Sequence, residues 1–198
     1  MLIKIYSSTI IEGVTLHYKS DPAVAVAYFY FDFNDAKKQR HENLLRSLIV
    51  QLSMQSVKTP EVLNSLFARS QDGRQQPTSD ALTLTLQHMV EDFQQTFIIV
   101  DALDECKERE DLLQLIENIV NWKLEKLHIL ATSRRERDIE EALEPLITGQ
   151  ICIQSALVNA DIHIHLCERL RNDPKLRKWP ANVQMEMEKT LMEGAHGM

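Results

Sequence analysis

The chain has 198 residues, 44% hydrophobic and 26% charged, enough for one domain with its own core plus the start of another. Its formal net charge of −7 argues against a dominant nucleic-acid role, because phosphate binding calls for a basic face. Three cysteines, Cys106, Cys152 and Cys167, show no C-x-x-C spacing. They argue against a disulfide framework and a zinc site, and for a reducing, cytoplasmic setting, while no apolar run is long enough for a secretion signal or a membrane span.

In chain order, "AVAVAYFYFDF" at 23–33 is rich in β-branched and aromatic residues and predicts a buried strand. In "NLLRSLIVQL", Leu44, Leu45, Leu48, Ile49 and Leu52 share one helical face. Pro60 opens a short helix, "PEVLNSLFARS", and "QDGRQQPTSD" is a loop. Residues 80–93 predict a helix with Leu82, Leu86, Met89, Val90 and Phe93 inward. The strand "TFIIVDA" follows, then a helix with Leu112, Leu113, Ile116, Ile119 and Val120 on one face. "LHILATS" is another short strand, "ERDIEEALEPL" a helix and "GQICIQS" a further strand; from Asn159 the pattern is helix, a turn at "NDPKLRKWP", and helix. Short apolar strands alternating with amphipathic helices require parallel pairing, since parallel neighbours need a crossover. The expected fold is a doubly wound α/β sheet over residues 1–155, followed by the start of a helical region at 156–198.

"FIIVDALDEC" carries the chemistry. In an open parallel sheet ligands sit beyond the carboxyl ends of the strands, and Asp101 stands at such an end, with Asp104 and Glu105 just after it. One carboxylate there suits magnesium held together with nucleotide phosphates, and Asp104 or Glu105 is placed to polarise an attacking water. The competing reading makes Asp104 and Glu105 the acidic start of the next helix. Arg134, closing the neighbouring strand, favours the first reading, as a charge-assisted donor to a terminal phosphate.

"YFYFDFND", "LLRSLIVQL", "FIIVDALDEC" and "LHILATSRRERDIEEAL", in this order, resemble the NTPase domain of NACHT-type signalling ATPases of the P-loop class. The likeness is to the fungal members, with a nephrocystin-type N-terminal domain. "VNADIHIHLCERLRNDPKLRKWP" resembles the helical part that follows. The resemblance implies Asp101 as the Walker B metal ligand, Asp104 and Glu105 as the trailing acidic pair, and Arg134 as a sensor residue. It also implies ATP or GTP with Mg2+ as ligands and other protein subunits as partners, in an oligomerising switch that often carries ankyrin or WD40 repeats. Neither nucleic acid nor membrane is an implied partner.

One part of the family pattern is missing. A P-loop needs G-x-x-x-x-G-K-[ST], because glycines let successive backbone N–H groups close around phosphate. This sequence has no such run; its first glycine is Gly13. In the family, a segment like "SSTIIE" lies on the helix that the loop opens, and here "MLIKIY" stands where the loop is expected. Lys4 is near the position of the family's lysine, but without flanking glycines it is not expected to hold phosphate. The family's first strand is missing too, unless "LIKIY" supplies one. The expectation is an incomplete domain, either a fragment or a truncated product, without tight nucleotide binding. A non-enzymatic interaction module of the same fold is the alternative.

The remaining conspicuous residues have plain readings. His163 and His165, two apart, face different directions on a helix. His128 is expected to be satisfied at a strand start, Cys106 to be structural, and Trp122 and Trp179 to anchor apolar faces. "KERED" at 107–111 is expected to be a solvated run.

Overall fold

A computed structural model describes residues 2–19, 21–57, 60–151 and 156–195, with the side chains of 2–6, 156–162 and 193–195 left undescribed. The chain forms two compact units, Met1–Leu146 and Ile147–Met198.

The first unit begins with α1 (Leu2–His17). The alternative of a strand at "LIKIY" is therefore not realised. The reason lies in the period: Ser7 and Ile11 are buried, Val14 and Tyr18 half-buried, and their spacing is that of one helical stripe, not of a strand face. Three parallel strands follow, β1 (Val24–Tyr30), β2 (Gln95–Asp101) and β3 (Leu127–Ala131), in the order β1-β2-β3 with β2 central. Helices α2 (His41–Gln55), α3 (Glu61–Arg69) and α4 (Ser79–Glu91) connect β1 to β2, α5 (Arg109–Val120) connects β2 to β3, and α6 (Arg137–Leu143) follows.

Side chains alternate across β2. Ile98 and Val100 join the main core with Leu44, Leu48 and Leu52 of α2, Leu86 of α4 and Leu112 of α5. On the other face, Phe97 stacks against Tyr18 with ring centroids 5.3 Å apart, and Asp101 receives Ser7 of α1. The sheet is thus flanked by helices on both faces, as its alternation with helices predicts. In α5, Leu115 is buried where Leu113 was expected, and Leu113 and Val120 are partly buried at the margin of the core. The strand expected at 23–33 leaves the sheet after Tyr30, although the Phe31 N–H still donates to the Asp101 carbonyl at 3.1 Å.

The two outer strands are treated differently. Along β1, Gln51 of α2 exchanges two hydrogen bonds with the Tyr28 backbone, at 3.1 and 2.7 Å, and Gln55 exchanges two with Val26, at 3.0 and 2.8 Å. Two glutamine amides one helical turn apart thus occupy donors and acceptors that a further strand would otherwise seek. Beyond β3, no strand pairs among the described residues. Of the expected strand "GQICIQS", residues 149–151 are irregular and 152–155, Cys152 included, lie outside the described residues.

The second unit contains α7 (Ala156–Asn172) and α8 (Ala181–Ala195). The turn between them is organised by Asp173, whose Oδ1 accepts from the Lys175 N–H at 2.9 Å and whose carbonyl accepts from Leu176 and Arg177. Trp179, expected to anchor an apolar face, is 51% exposed; Trp122 does pack against the core.

Candidate functional site at the carboxyl ends of the strands

Asp101 ends the central strand and is fully buried. Its Oδ1 accepts from the hydroxyl of Ser7 and, at 2.7 Å, from that of Thr132. Its Oδ2 is buried with no hydrogen-bond partner. Thr132 is the residue just beyond β3. Parallel register pairs Val100 with Ala131, which brings Thr132 level with Asp101. Its Oγ1 also accepts from the Ala102 N–H at 3.1 Å, and its carbonyl accepts from the Leu103 N–H at 2.9 Å. These bonds hold Ala102 at φ 59°, a left-handed conformation uncommon for a residue with a Cβ. The chain thereby turns sharply out of the sheet and places the next carboxylates beyond the strand end.

Asp104 and Glu105 lie in a 3-10 turn, Leu103–Glu105, whereas α5 starts at Arg109. They are therefore not the acidic first turn of the following helix; Glu110 and Asp111 are. Asp104 and Arg134 are brought together twice: the Arg134 N–H donates to Oδ1 at 3.0 Å, and its Nε lies 3.5 Å from Oδ2. The Asp104 side chain is 9% exposed and that of Arg134 59%, so the carboxylate is an inner anchor and the guanidinium faces outward. Glu105 points elsewhere, accepting the Phe33 N–H at 3.0 Å and tying down the loop after β1.

The "KERED" run is not simply solvated. Glu108 contacts His41 Nδ1 at 2.7 Å and Arg40 Nε at 3.2 Å, and Ser79 Oγ lies 3.4 Å from His41 Nε2. This cluster pins the first turns of α2 and α4 to the entry of α5. Desolvation works to raise the Glu108 carboxyl, yet the hydrogen bond from His41 and the charges of His41 and Arg40 hold it below the ordinary glutamate value. Arg109 grips both oxygens of Asp138 at 3.1 and 3.0 Å and donates to the Asp104 carbonyl at 2.9 Å. Desolvation opposes ionisation of Asp138 as well, but Arg109 outweighs it and keeps that carboxyl low. Burial pushes the Cys106 thiol up to about 11, and its Sγ donates to the Gln39 carbonyl at 3.4 Å. A neutral buried thiol of this kind is structural, not nucleophilic.

Magnesium that is shared with nucleotide phosphates takes one or two protein carboxylates. The unpartnered Oδ2 of Asp101 fits one such contact, its Oδ1 being committed to Ser7 and Thr132. A phosphate cradle does not fit. Gly13 lies within α1, and a Cβ built there would meet nothing within 4 Å, so this glycine makes no close approach of the kind a phosphate loop requires. The backbone at Lys4 is helical, and its side chain is outside the described ones.

Ser7 and Thr132 escape a reading of the sequence. The Thr132 signal was present, a hydroxyl residue one step past a strand that neighbours an acidic one; Ser7 carried none. His128 is exposed and stacks on Phe97, centroids 4.8 Å apart.

A parallel sheet wound by helices on both faces, with an acidic cluster at the carboxyl end of its central strand, defines an α/β protein whose candidate site lies at that end. The chain belongs to the nephrocystin 3, N-terminal family, whose model matches residues 4–134. That span begins within α1 and takes in Asp101, Asp104, Glu105 and Arg134. No curated protein and no solved structure matches the chain. No helix among the described residues is long and apolar enough to cross a membrane.

Proposed function

We propose that this chain is part of the nucleotide-switch domain of a cytoplasmic, NACHT-type signalling ATPase or GTPase, these residues carrying the acidic side of the site and no phosphate cradle of their own. The observation that carries this reading is the grouping at the strand ends of Asp101, with one carboxylate oxygen unpartnered, and the Asp104–Arg134 pair. In a chain that also includes a glycine-rich loop, Asp101 is the magnesium ligand and Arg134 the sensor of the terminal phosphate. Of the trailing pair, Asp104 is the carboxylate that acts on the attacking water, since Glu105 is turned to the Phe33 N–H. Magnesium, when bound, would neutralise phosphate charge at that point.

These 198 residues by themselves act as a non-enzymatic interaction module. A phosphate loop supplies several charge-assisted hydrogen bonds of about 1.5–3 kcal/mol each. Losing three removes on the order of 5 kcal/mol, or a few thousandfold in affinity. One carboxylate oxygen does not replace them.

The test is titration of a fluorescent ATP or GTP analogue with and without magnesium. It uses this chain and a version extended by an upstream strand and a G-x-x-x-x-G-K-[ST] loop. The chain alone is expected to show no binding at micromolar concentrations, and the extended chain magnesium-dependent binding and hydrolysis. In the extended chain, Asp101→Asn weakens metal-dependent binding, while Asp104→Asn, more than Glu105→Gln, slows turnover. Full hydrolysis in the Asp101→Asn protein would refute the metal assignment, and tight binding by the chain alone would refute the interaction-module reading.

A further inference from the structure

We infer that His163, Cys167 and Glu188 form a zinc site in the second unit. His163 and Cys167 are four positions apart on α7, hence on one face and one turn from each other, and Glu188 faces them from α8. Glu188 Oε1 lies 2.7 Å from His163 Nε2, Cys167 Sγ lies 3.8 Å from the same nitrogen, and the three donor atoms all fall within 4.8 Å of one another.

Both neighbours crowd one ring nitrogen. A nucleophilic relay needs the opposite arrangement, with the carboxylate on one imidazole nitrogen and the thiol on the other. Three different donor atoms gathered within 4.8 Å of one another are instead what one cation can draw together. Zinc–sulfur and zinc–nitrogen bonds of about 2.3 and 2.0–2.1 Å at a tetrahedral angle put sulfur and nitrogen roughly 3.5 Å apart, close to the spacing present. The nitrogen–oxygen pair must open by roughly half an ångström, to about 3.3 Å, a small side-chain rotation.

The donor types select the metal. Magnesium and calcium take oxygen ligands, whereas a thiolate, an imidazole and a carboxylate together suit zinc. One thiolate and one carboxylate also balance the charge of a divalent cation, leaving a neutral site with a fourth position for water. The cation can get in, because the His163 and Glu188 side chains are 50% and 32% exposed. Without metal, a half-exposed His–Glu contact contributes at most about 1 kcal/mol; with it, α7 and α8 are joined by coordinate bonds. The sequence hid this site behind His163 and His165, whose spacing draws the eye but turns them apart.

The experiment uses the full chain and cobalt(II) as a spectroscopic probe. The wild-type chain is expected to bind one cobalt ion with a thiolate-to-cobalt charge-transfer band in the near ultraviolet, which zinc abolishes by displacement. Cys167→Ser loses the band, and His163→Gln and Glu188→Gln each weaken cobalt binding by about tenfold or more. Cys106→Ala keeps the band. As a measurement independent of these variants, zinc should slow alkylation of Cys167 in the wild-type chain by about tenfold or more, followed by mass spectrometry. A chain without the band, a band that survives Cys167→Ser, or Cys167 alkylation indifferent to zinc overturns the assignment.

Discussion

Ser7 of α1 and Asp101 of β2, 94 positions apart, are joined by a hydrogen bond between two side chains that are both fully buried. Thr132 closes on the same carboxylate oxygen from the end of β3. One carboxylate therefore ties the first helix to the carboxyl ends of two neighbouring strands.

Removing either hydroxyl leaves that buried carboxylate short of a donor. Ser7→Ala and Thr132→Val should each destabilise the chain by about 1–3 kcal/mol, with Thr132→Ser close to the parent. Because both hydroxyls act on one oxygen, the double variant should depart from the sum of the singles. Urea unfolding measures this as a fall in midpoint at constant slope; a Thr132→Val protein as stable as the parent would contradict the arrangement.

Gln51 and Gln55 guard the outer edge of β1. Gln51→Leu and Gln55→Leu each give up two backbone contacts and should cost about 1 kcal/mol, but their larger effect is exposure of strand donors and acceptors. Light scattering on the double variant should show concentration-dependent association beyond that of the parent. Association equal to the parent's would mean that the glutamines are not what protects this edge.

Acid should weaken the first unit through Glu108 and Asp138. Both carboxyls sit below their ordinary values in the folded chain, so the unfolded state binds protons first as pH falls. Their stabilisation is complete above the unfolded carboxyl range of about 3.9–4.3. It is lost as pH falls through the lower folded values. Glu108→Gln with Asp138→Asn should flatten the acid limb of a stability–pH curve. An unchanged slope between neutral pH and pH of about 3 would show that other groups govern it.

The Cys106 thiol, raised to about 11, should be nearly inert at neutral pH. Against an ordinary thiol near 8.5, its thiolate fraction is lower by roughly two to three orders of magnitude. Iodoacetamide labelling of the native chain followed by mass spectrometry should find Cys106 far slower than Cys167, which is half-buried. Comparable rates would exclude the buried, neutral thiol.

Much of the first unit was legible in the sequence because its signals are local. The alternation of short apolar strands with 3.6-period helices determined a parallel, helix-flanked sheet. The run ending in Asp101 marked the end of a strand, and Arg134 marked the end of its neighbour; that the Asp101 strand is central was not legible. Partners far apart along the chain were not legible. Ser7 to Asp101, Thr132 to Asp101 at 31 positions and His41 to Glu108 at 67 depend on strand register and on where each helix lands, and no spacing rule encodes either. The same holds for the first helix: "LIKIY" admits a strand by composition, and only packing of the Ser7, Ile11, Val14 and Tyr18 stripe against the sheet makes it helical. The tertiary structure also decided the fate of each carboxylate. Asp104 anchors Arg134 and Glu105 anchors Phe33 because a left-handed Ala102, held by Thr132, turns the chain between them and Asp101.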